Sequence, residues 1–123
     1  AMSDPKTVLI VDDSFVSRLW VETFLKQQYS NWNVIIAEGG KDALMKTESV
    51  QLDLAILDIN MPEMDGFTLG AALKKRFPDA YMTMLTANVK EESQRKAASM
   101  GFGLVSKPIS NDKMKEILSH IGA

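Results

Sequence analysis

The stretch Val8-Leu9-Ile10-Val11-Asp12-Asp13 is a run of four aliphatic residues that ends in two adjacent carboxylates. Leu54-Ala55-Ile56-Leu57-Asp58 repeats the arrangement near the middle of the chain. A short, wholly apolar run bounded by polar residues is typical of a strand covered on both faces, as in a parallel sheet. Both runs therefore predict buried parallel strands that end in acidic side chains.

Further apolar runs and helical patterns alternate with these two segments along the chain. The runs interpreted as strands are residues 8–11, 34–37, 54–57, 82–85 and 104–106. Helices are predicted after the cap residue Ser14, over residues 40–50, from Gly66 to before Pro78, over residues 90–100, and from Ser110 onward. The first helix is expected to bury an apolar stripe formed by Val16, Leu19, Trp20 and Phe24.

Five strand–helix pairs within 123 residues predict an α/β fold built as a βαβ series around a five-stranded parallel sheet. Right-handed crossovers leave few topologies, and the doubly wound, flavodoxin-like order 2-1-3-4-5 is favoured at this size. The length fits one domain over residues 1–123.

The composition argues against several classes of protein. No apolar run reaches the roughly 20 residues of a membrane helix, so we expect no membrane contact. The net charge of −2 argues against a nucleic-acid-binding face. The chain has no cysteine and hence no disulfide framework, which fits a cytoplasmic protein.

Acidic side chains follow two strands that are neighbours in this sheet order. In such a sheet, ligands bind beyond the carboxyl ends of the strands where the order reverses, between the first and third strands. Asp12 and Asp13 follow the first strand, and Asp58 follows the third. An isolated aspartate at a strand end often caps a turn, but three together would repel one another unless a cation compensated them. Carboxylates are ligands that Mg²⁺ prefers, so we predict a magnesium site.

Two more strand ends point toward the same edge of the sheet. Thr86 follows the fourth strand and offers a hydroxyl, and Lys107 follows the fifth and offers a mobile ammonium group. A cation site, a carboxylate nucleophile, a hydroxyl and an ammonium group suit in-line phosphoryl transfer, in which positioning and charge neutralisation do most of the catalysis.

Four motifs carry a family resemblance: Asp12-Asp13-Ser14, Asp58-Ile59-Asn60-Met61-Pro62-Glu63-Met64-Asp65-Gly66, Thr86-Ala87 and Lys107-Pro108. Together, and over essentially the whole chain, they resemble the receiver domain of two-component response regulators. The resemblance implies that Asp58 accepts a phosphoryl group from a sensor histidine kinase or a histidine phosphotransfer protein. The domain would then regulate a downstream protein target or output domain. It would not be an enzyme, although Mg²⁺-dependent autophosphorylation and autodephosphorylation would be its own chemistry.

The resemblance also implies a ligand set for Mg²⁺. Asp13, Asp58 and the backbone carbonyl of Asn60 would bind the ion directly, and Asp12 would act through water.

Further roles follow from the resemblance for the phosphoryl group. Thr86 and Lys107 would bind its oxygens, together with the backbone N–H groups of Asn60 and Ala87. The peptide bond between Lys107 and Pro108 would be cis, a form that is far less costly before proline than elsewhere.

One position departs from the family pattern. Receivers usually carry Tyr or Phe three residues before the active-site lysine, and here Leu104 stands there. Phe102 is expected to pack in the core. With a smaller switch residue, phosphorylation is still expected to shift the surface of the fourth helix, fifth strand and fifth helix. A partner, or a second copy of the domain in a phosphorylation-dependent dimer, would bind there.

Three other readings stay open. A small Mg²⁺-dependent aspartyl-nucleophile phosphatase would need Asp-x-Asp after the first strand, where this chain has adjacent aspartates. A flavodoxin-type electron carrier would need a hydroxyl- and glycine-rich phosphate loop there. A phosphorylation-independent receiver-like binding module would not need the full set of acidic, threonine and lysine residues at the strand ends. The sequence also leaves open whether the domain stands alone or begins a longer protein.

Overall fold

The computed structural model describes residues 4–123, so Ala1–Ser3 of the expected domain lie outside the described residues. Its elements are β1 (Thr7–Val11), α1 (Phe15–Gln28), β2 (Asn33–Ala37), α2 (Gly40–Lys46), β3 (Leu54–Asp58), α3 (Gly66–Arg76), β4 (Tyr81–Thr86), α4 (Glu91–Met100), β5 (Gly103–Ser106) and α5 (Asn111–Ser119). Over residues 4–123, none of the helices combines the length and apolarity that a membrane crossing requires.

The strands form one parallel sheet in the order β2-β1-β3-β4-β5, which confirms the predicted flavodoxin-like topology. Strand β1 is paired on both sides, with Val8 opposite Val34 on one side and Leu54 on the other. At the carboxyl end of the sheet Val11 lies opposite Leu57. This register places the residues that follow, Asp12 and Asp58, side by side.

Both faces of the sheet are covered by helices. Leu9 and Val11 point into one apolar layer with residues of α2, α3 and α4, and Val8 and Ile10 point into the other with residues of α1 and α5. Each fully buried Val, Leu or Ile contributes roughly 1.5–3 kcal/mol relative to an exposed one. Burial on both faces explains why the strands are apolar throughout instead of alternating.

The predicted buried stripe of α1 is wrong. Val16 is 73% exposed and Leu19 47% exposed, whereas Val21 and Leu25 are fully buried. The remaining two members of the stripe are only partly buried and stack with ring centroids 5.5 Å apart, Trp20 and Phe24. The helix carries two adjacent apolar rows, and periodicity cannot choose between them. In the structure the second row, with Val21 and Leu25, faces the sheet.

Helix α2 ends at Lys46, earlier than the predicted residue 50. The Thr47 hydroxyl donates to the carbonyl of Ala43 at 2.9 Å, and the Arg76 guanidinium donates to the carbonyl of Leu44 at 2.8 Å. Since these side chains satisfy carbonyls of the last turn, the helix can stop there. The other predicted starts and ends of strands and helices agree with the structure to within one or two residues. Gly101 ends α4 with a φ of 74°.

Gly66 begins α3 directly against the end of β3. A Cβ atom built on Gly66 would lie 2.3 Å from the carbonyl oxygen of Asp58, and the Gly66 N–H donates to the carbonyl of Ile59 at 2.9 Å. The start of α3 thus packs backbone to backbone behind the strand end that carries Asp58.

We expect Gly66→Ala to lower the free energy of unfolding by about 1–3 kcal/mol, because backbone must move to admit the methyl group. Urea denaturation followed by circular dichroism measures this change. Gly39→Ser is the matched control, since a Cβ there meets no atom within 4 Å and serine suits the N-cap of α2. Equal losses in the two variants would contradict the close approach.

Candidate functional site

Three carboxylates converge at the carboxyl end of the sheet. Asp12, Asp13 and Asp58 each offer an oxygen, and these atoms lie within 4.8 Å of one another. Asp12 is fully buried and Asp58 is 5% exposed, whereas Asp13 lies at the exposed rim. We call this cluster, together with Lys107, the acidic pocket. It is the convergence that the strand ends predict.

Asp12 is held by backbone on one side and by charge on the other. Its Oδ1 accepts a hydrogen bond from the Ser14 N–H at 2.9 Å. Its Oδ2 lies 2.9 Å from the Lys107 ammonium as an ion pair. No other donor of the described residues reaches this buried oxygen. Because a carboxylate oxygen has two lone pairs, Oδ2 keeps capacity for a cation or a water molecule beside the ammonium.

The environment of Asp58 disfavours its charged form. Burial, and then the negative charge of Asp12, raise the pKa of Asp58 to about 6, and Asp13 adds to the effect. The Lys107 ammonium, with Nζ 3.6 Å from Asp58 Oδ2, and the Asn60 N–H, 3.4 Å from Oδ1, lower that pKa in part. The Asp58 carboxylate is therefore mostly ionised at neutral pH, and Lys107 and the Asn60 N–H compensate its negative charge only in part.

Lys107 supplies the ammonium group of the acidic pocket. It follows β5, and its backbone N–H donates to the carbonyl of Thr86 at 2.8 Å, which ties the ends of β4 and β5 together. The Lys107–Pro108 peptide bond is cis. Burial lowers the pKa of Lys107, but the carboxylates of Asp12 and Asp58 outweigh burial and leave it above its ordinary value. The ammonium therefore stays charged.

The Thr86 side chain is buried and turned toward the loop that follows β4. Its hydroxyl donates to the Asn88 carbonyl at 3.1 Å and accepts from the Asn88 N–H at 3.2 Å. Ala87 and Asn60 are exposed beside the ends of β4 and β3. The hydroxyl would have to leave Asn88 to bind a group at Asp58.

Leu104 lies in β5 beside an open space. With Val89 and Ala97 it lines a cavity of about 330 Å³ between β5 and α4. Phe102 is 7% exposed, and its ring would be 2.8 Å from a Cβ atom built on Gly70. Phe102 therefore packs in the core against α3. It also forms one wall of the cavity next to Leu104.

Sequence reasoning missed two basic residues that support the site. The buried Arg18 donates to the carbonyl of Asp12 at 2.7 Å. The Lys113 ammonium donates to the carbonyls of Ser106 at 2.8 Å and Pro108 at 3.0 Å, on either side of Lys107. A basic residue on an amphipathic helix is ordinarily solvated, so no signal in the sequence distinguished these two.

The acidic pocket fits a hard divalent cation. Three carboxylates within reach of one another, one with a buried oxygen that only the Lys107 ammonium approaches, form the all-oxygen donor set that Mg²⁺ prefers. A cation there would also relieve the repulsion that raises the pKa of Asp58.

Comparison with known proteins gives a family for this arrangement. Residues 8–119 match the family model of the response regulator receiver domain. The sensor protein EvgS of Escherichia coli K12 is 36% identical over 118 residues, covering 94% of this chain but 10% of that protein. The chemotaxis protein CheY of Listeria monocytogenes is 33% identical over 90% of this chain and 93% of its own length. The chain thus spans only a small part of its larger relatives.

Solved structures show the same fold. The chemotaxis protein CheY4 of Vibrio cholerae superimposes with a TM-score of 0.84 at 28% identity, covering 96% of this chain and 99% of the other. CheY in the CheX-CheY-BeF3-Mg²⁺ complex of Borrelia burgdorferi gives a TM-score of 0.77 at 28% identity, covering 97% and 90%. With the family model matching most of the chain, this protein belongs to the response regulator receiver domain family.

Proposed function

We propose that Asp58 is the residue that is phosphorylated in this receiver domain, which by its family is a phosphoacceptor of two-component signalling and not a classical enzyme. The observation that carries the proposal is the position of Asp58 between two carboxylates and an ammonium group, at a strand end with residual access to solvent. Asp12 is fully buried, and Asp13 makes no ion pair with any of residues 4–123, so neither combines access to solvent with a neighbouring cation.

The chemistry requires an ionised nucleophile next to positive charge. An Asp58 oxygen would form a bond to phosphorus as the N–P bond of a donor phosphohistidine breaks. The electron pair of the N–P bond would remain on the imidazole nitrogen, which then takes up a proton. A pKa of about 6 leaves Asp58 ionised at pH 7. Lys107 would turn from the carboxylates to the phosphoryl oxygens, with Thr86 and the N–H groups of Asn60 and Ala87 as further donors.

Mg²⁺ is the cation that the acidic pocket is proposed to hold. Asp13, Asp58 and the Asn60 carbonyl would bind it directly, and Asp12 through water. When bound, it supplies positive charge that offsets the charge on the phosphoryl oxygens. The BeF3 and Mg²⁺ complex of the related Borrelia CheY supports the same ion here.

A sensor histidine kinase or a histidine phosphotransfer protein is the proposed donor, in line with the sensor protein among the relatives. An apolar patch on the first turns of α1 supports this: Phe15 is 66% exposed, Val16 73% and Leu19 47%. The patch follows Asp13 and Ser14 directly in the chain. Because a donor imidazole must reach Asp58, a donor protein has to cover the rim of the acidic pocket, and this patch lies beside it.

The signal is proposed to leave through α4. This helix buries only Ala97, and a cavity of about 330 Å³ separates part of it from β5. If the Thr86 hydroxyl left Asn88 for the phosphoryl group, the loop into α4 would follow it. Leu104 is smaller than an aromatic ring, so we expect a modest shift of the surface formed by α4, β5 and α5. A target protein, an output domain or a second copy would bind there.

The remaining expectations stay proposals. The family match supports one receiver domain over residues 1–123, and autophosphorylation from small donors is expected of it. The adjacent aspartates disfavour the phosphatase, and the complete pocket disfavours a phosphorylation-independent module. A cytoplasmic location and the lack of contact with nucleic acid or membrane remain predictions.

Asp58→Asn should abolish phosphorylation by acetyl phosphate and Mg²⁺, because the amide cannot act as the nucleophile. Intact-mass spectrometry should show one added phosphoryl group on the wild type and none on the variant. Asp79→Asn, at an exposed carboxylate remote from the pocket, should label like the wild type. Labelling of Asp58→Asn that maps to another residue would sink the assignment.

Asp13→Ala should weaken Mg²⁺ binding by more than about tenfold, since loss of a direct ligand should cost at least as much as loss of a supporting contact. Isothermal titration calorimetry measures the affinity. Asp12→Ala should lose less, and Asp79→Asn should bind like the wild type. An unchanged affinity in Asp13→Ala would show that the ion lies elsewhere.

Beryllium fluoride with Mg²⁺ should change hydrogen-exchange protection mainly in residues 86–100, because Thr86 begins the loop that leads into α4 and α4 buries only Ala97. Mass spectrometry of peptic peptides locates the change. Asp58→Asn under the same conditions should show none. Changes confined to α2 and α3 would rule out the α4 route.

A further inference from the structure

Helix α2 and the loop between β3 and α3 enclose a groove of about 920 Å³, which we call the α2 groove. Its floor is apolar and is formed by Leu44, Met45, Pro62 and Met64. Met64 packs on the start of α2, where a Cβ atom built on Gly40 would lie 2.4 Å from the Met64 sulfur. Met45 is 60% exposed. Nothing in residues 4–123 covers this apolar floor.

The rim of the α2 groove is strongly acidic. Its charged side chains are five carboxylates and one ammonium group, from Asp13, Glu38, Asp42, Glu48, Glu63 and Lys41. Arg18 lies 3.6 Å from Glu38, and Lys46 lies 3.1 Å from Asp42. Glu48 and Glu63 are exposed and make no ion pair with any described residue. The groove therefore presents uncompensated negative charge around an apolar floor.

The backbone of Glu63 is held in an unusual conformation at this rim. Its φ of 70° lies in the left-handed region, where non-glycine residues other than Asn and Asp are uncommon. Such a residue persists only where its surroundings hold it, and these conformations cluster at binding and switch sites. The loop thus keeps Glu63 at the groove at a conformational cost.

We propose that the α2 groove is a docking site for a cationic amphipathic segment of a partner protein. An aliphatic side chain of that segment would rest on the methionine floor, and its Lys or Arg residues would face Glu48 and Glu63. Exposed methionines adapt to aliphatic partners of different shape, and the opposed charges give orientation and a fast association rate. An anionic ligand or nucleic acid would be repelled by the same rim, and a bare metal ion would gain nothing from the floor.

The α2 groove is separate from the surface through which the phosphorylation signal is proposed to leave. Helix α2 follows β2 at one edge of the sheet, and α4 and α5 flank β5 at the other edge. A segment in the groove and a target on α4, β5 and α5 could therefore bind together. Docking does not require phosphorylation of Asp58, so its test can be made without Mg²⁺ or a phosphodonor.

The test uses a fluorescein-labelled helical peptide of about 18 residues, with leucines on one face and lysines on the other, and anisotropy in EDTA. The double variant Glu48→Lys/Glu63→Lys should weaken binding about tenfold or more. Glu92→Lys/Glu116→Lys changes the net charge equally at exposed carboxylates on α4 and α5. It should weaken binding less than about threefold. Equal losses in the two double variants, or no binding to the wild type, would overturn the proposal.

A second pair of variants tests the apolar floor. Met45→Gln should weaken the same peptide, whereas Ala71→Gln, at an exposed residue of α3 that does not line the groove, should not. A peptide with lysines but no leucines should bind more weakly than the amphipathic one. If polylysine or a polyamine binds equally well, the site is only an acidic surface and the proposal fails. Sedimentation that shows a dimer of the wild type, lost in Glu48→Lys/Glu63→Lys, would assign the groove to a second copy instead.

Discussion

The alignment of two parallel strands is the constraint on which the rest of this site depends. Val11 lies opposite Leu57, so the residues that follow bring Asp12 and Asp58 together at the edge of a sheet that is buried on both faces. Two like charges are thereby held in a poorly solvated place, and the pKa of Asp58 rises to about 6. The fold thus holds the carboxylates in an arrangement that a bound cation would relieve. A phosphoryl group on Asp58 would add negative charge, which the cation and the Lys107 ammonium would offset. Local instability of this kind is common where a structure carries function.

Lys107 has two parts in this arrangement. In the described state its ammonium lies 2.9 Å from Asp12 and 3.6 Å from Asp58, and it supplies the positive charge that makes the cluster tolerable. The same charge is in reach of a group added to Asp58. Lys113 supports this position by binding the carbonyls on both sides of Lys107, and it does so from the first turns of α5. The helix that flanks the sheet edge therefore also positions the ammonium.

The surfaces around the acidic pocket differ in character. The first turns of α1 are apolar and exposed, α2 and the β3–α3 loop form an acidic groove with a methionine floor, and α4 is polar with one buried alanine. All three adjoin loops at the carboxyl end of the sheet, because in a parallel sheet each such loop leads into a helix. One small domain can therefore receive a phosphoryl group on one side of the pocket and present other surfaces to different partners.

The sequence by itself determined the sheet order and the residues that meet at its edge. Apolar runs identify buried strands locally, and a parallel topology brings the carboxyl ends of those strands to one edge of the sheet for any loop conformation. The positions of Asp12, Asp58 and Lys107 at this edge could therefore be predicted from the sequence. Only the tertiary structure decided which apolar row of α1 faces the sheet, because two rows satisfy the same periodicity.

It also decided that Thr86 turns to Asn88, that Arg18 and Lys113 bind carbonyl groups, and that α2 stops where Thr47 and Arg76 satisfy its carbonyls. Several of these contacts join residues far apart in the chain, and the others depend on the rotation of a helix or the course of a loop. The sequence pattern contains neither the rotation of a helix nor the course of a loop, because both arise only when the helices pack on the sheet.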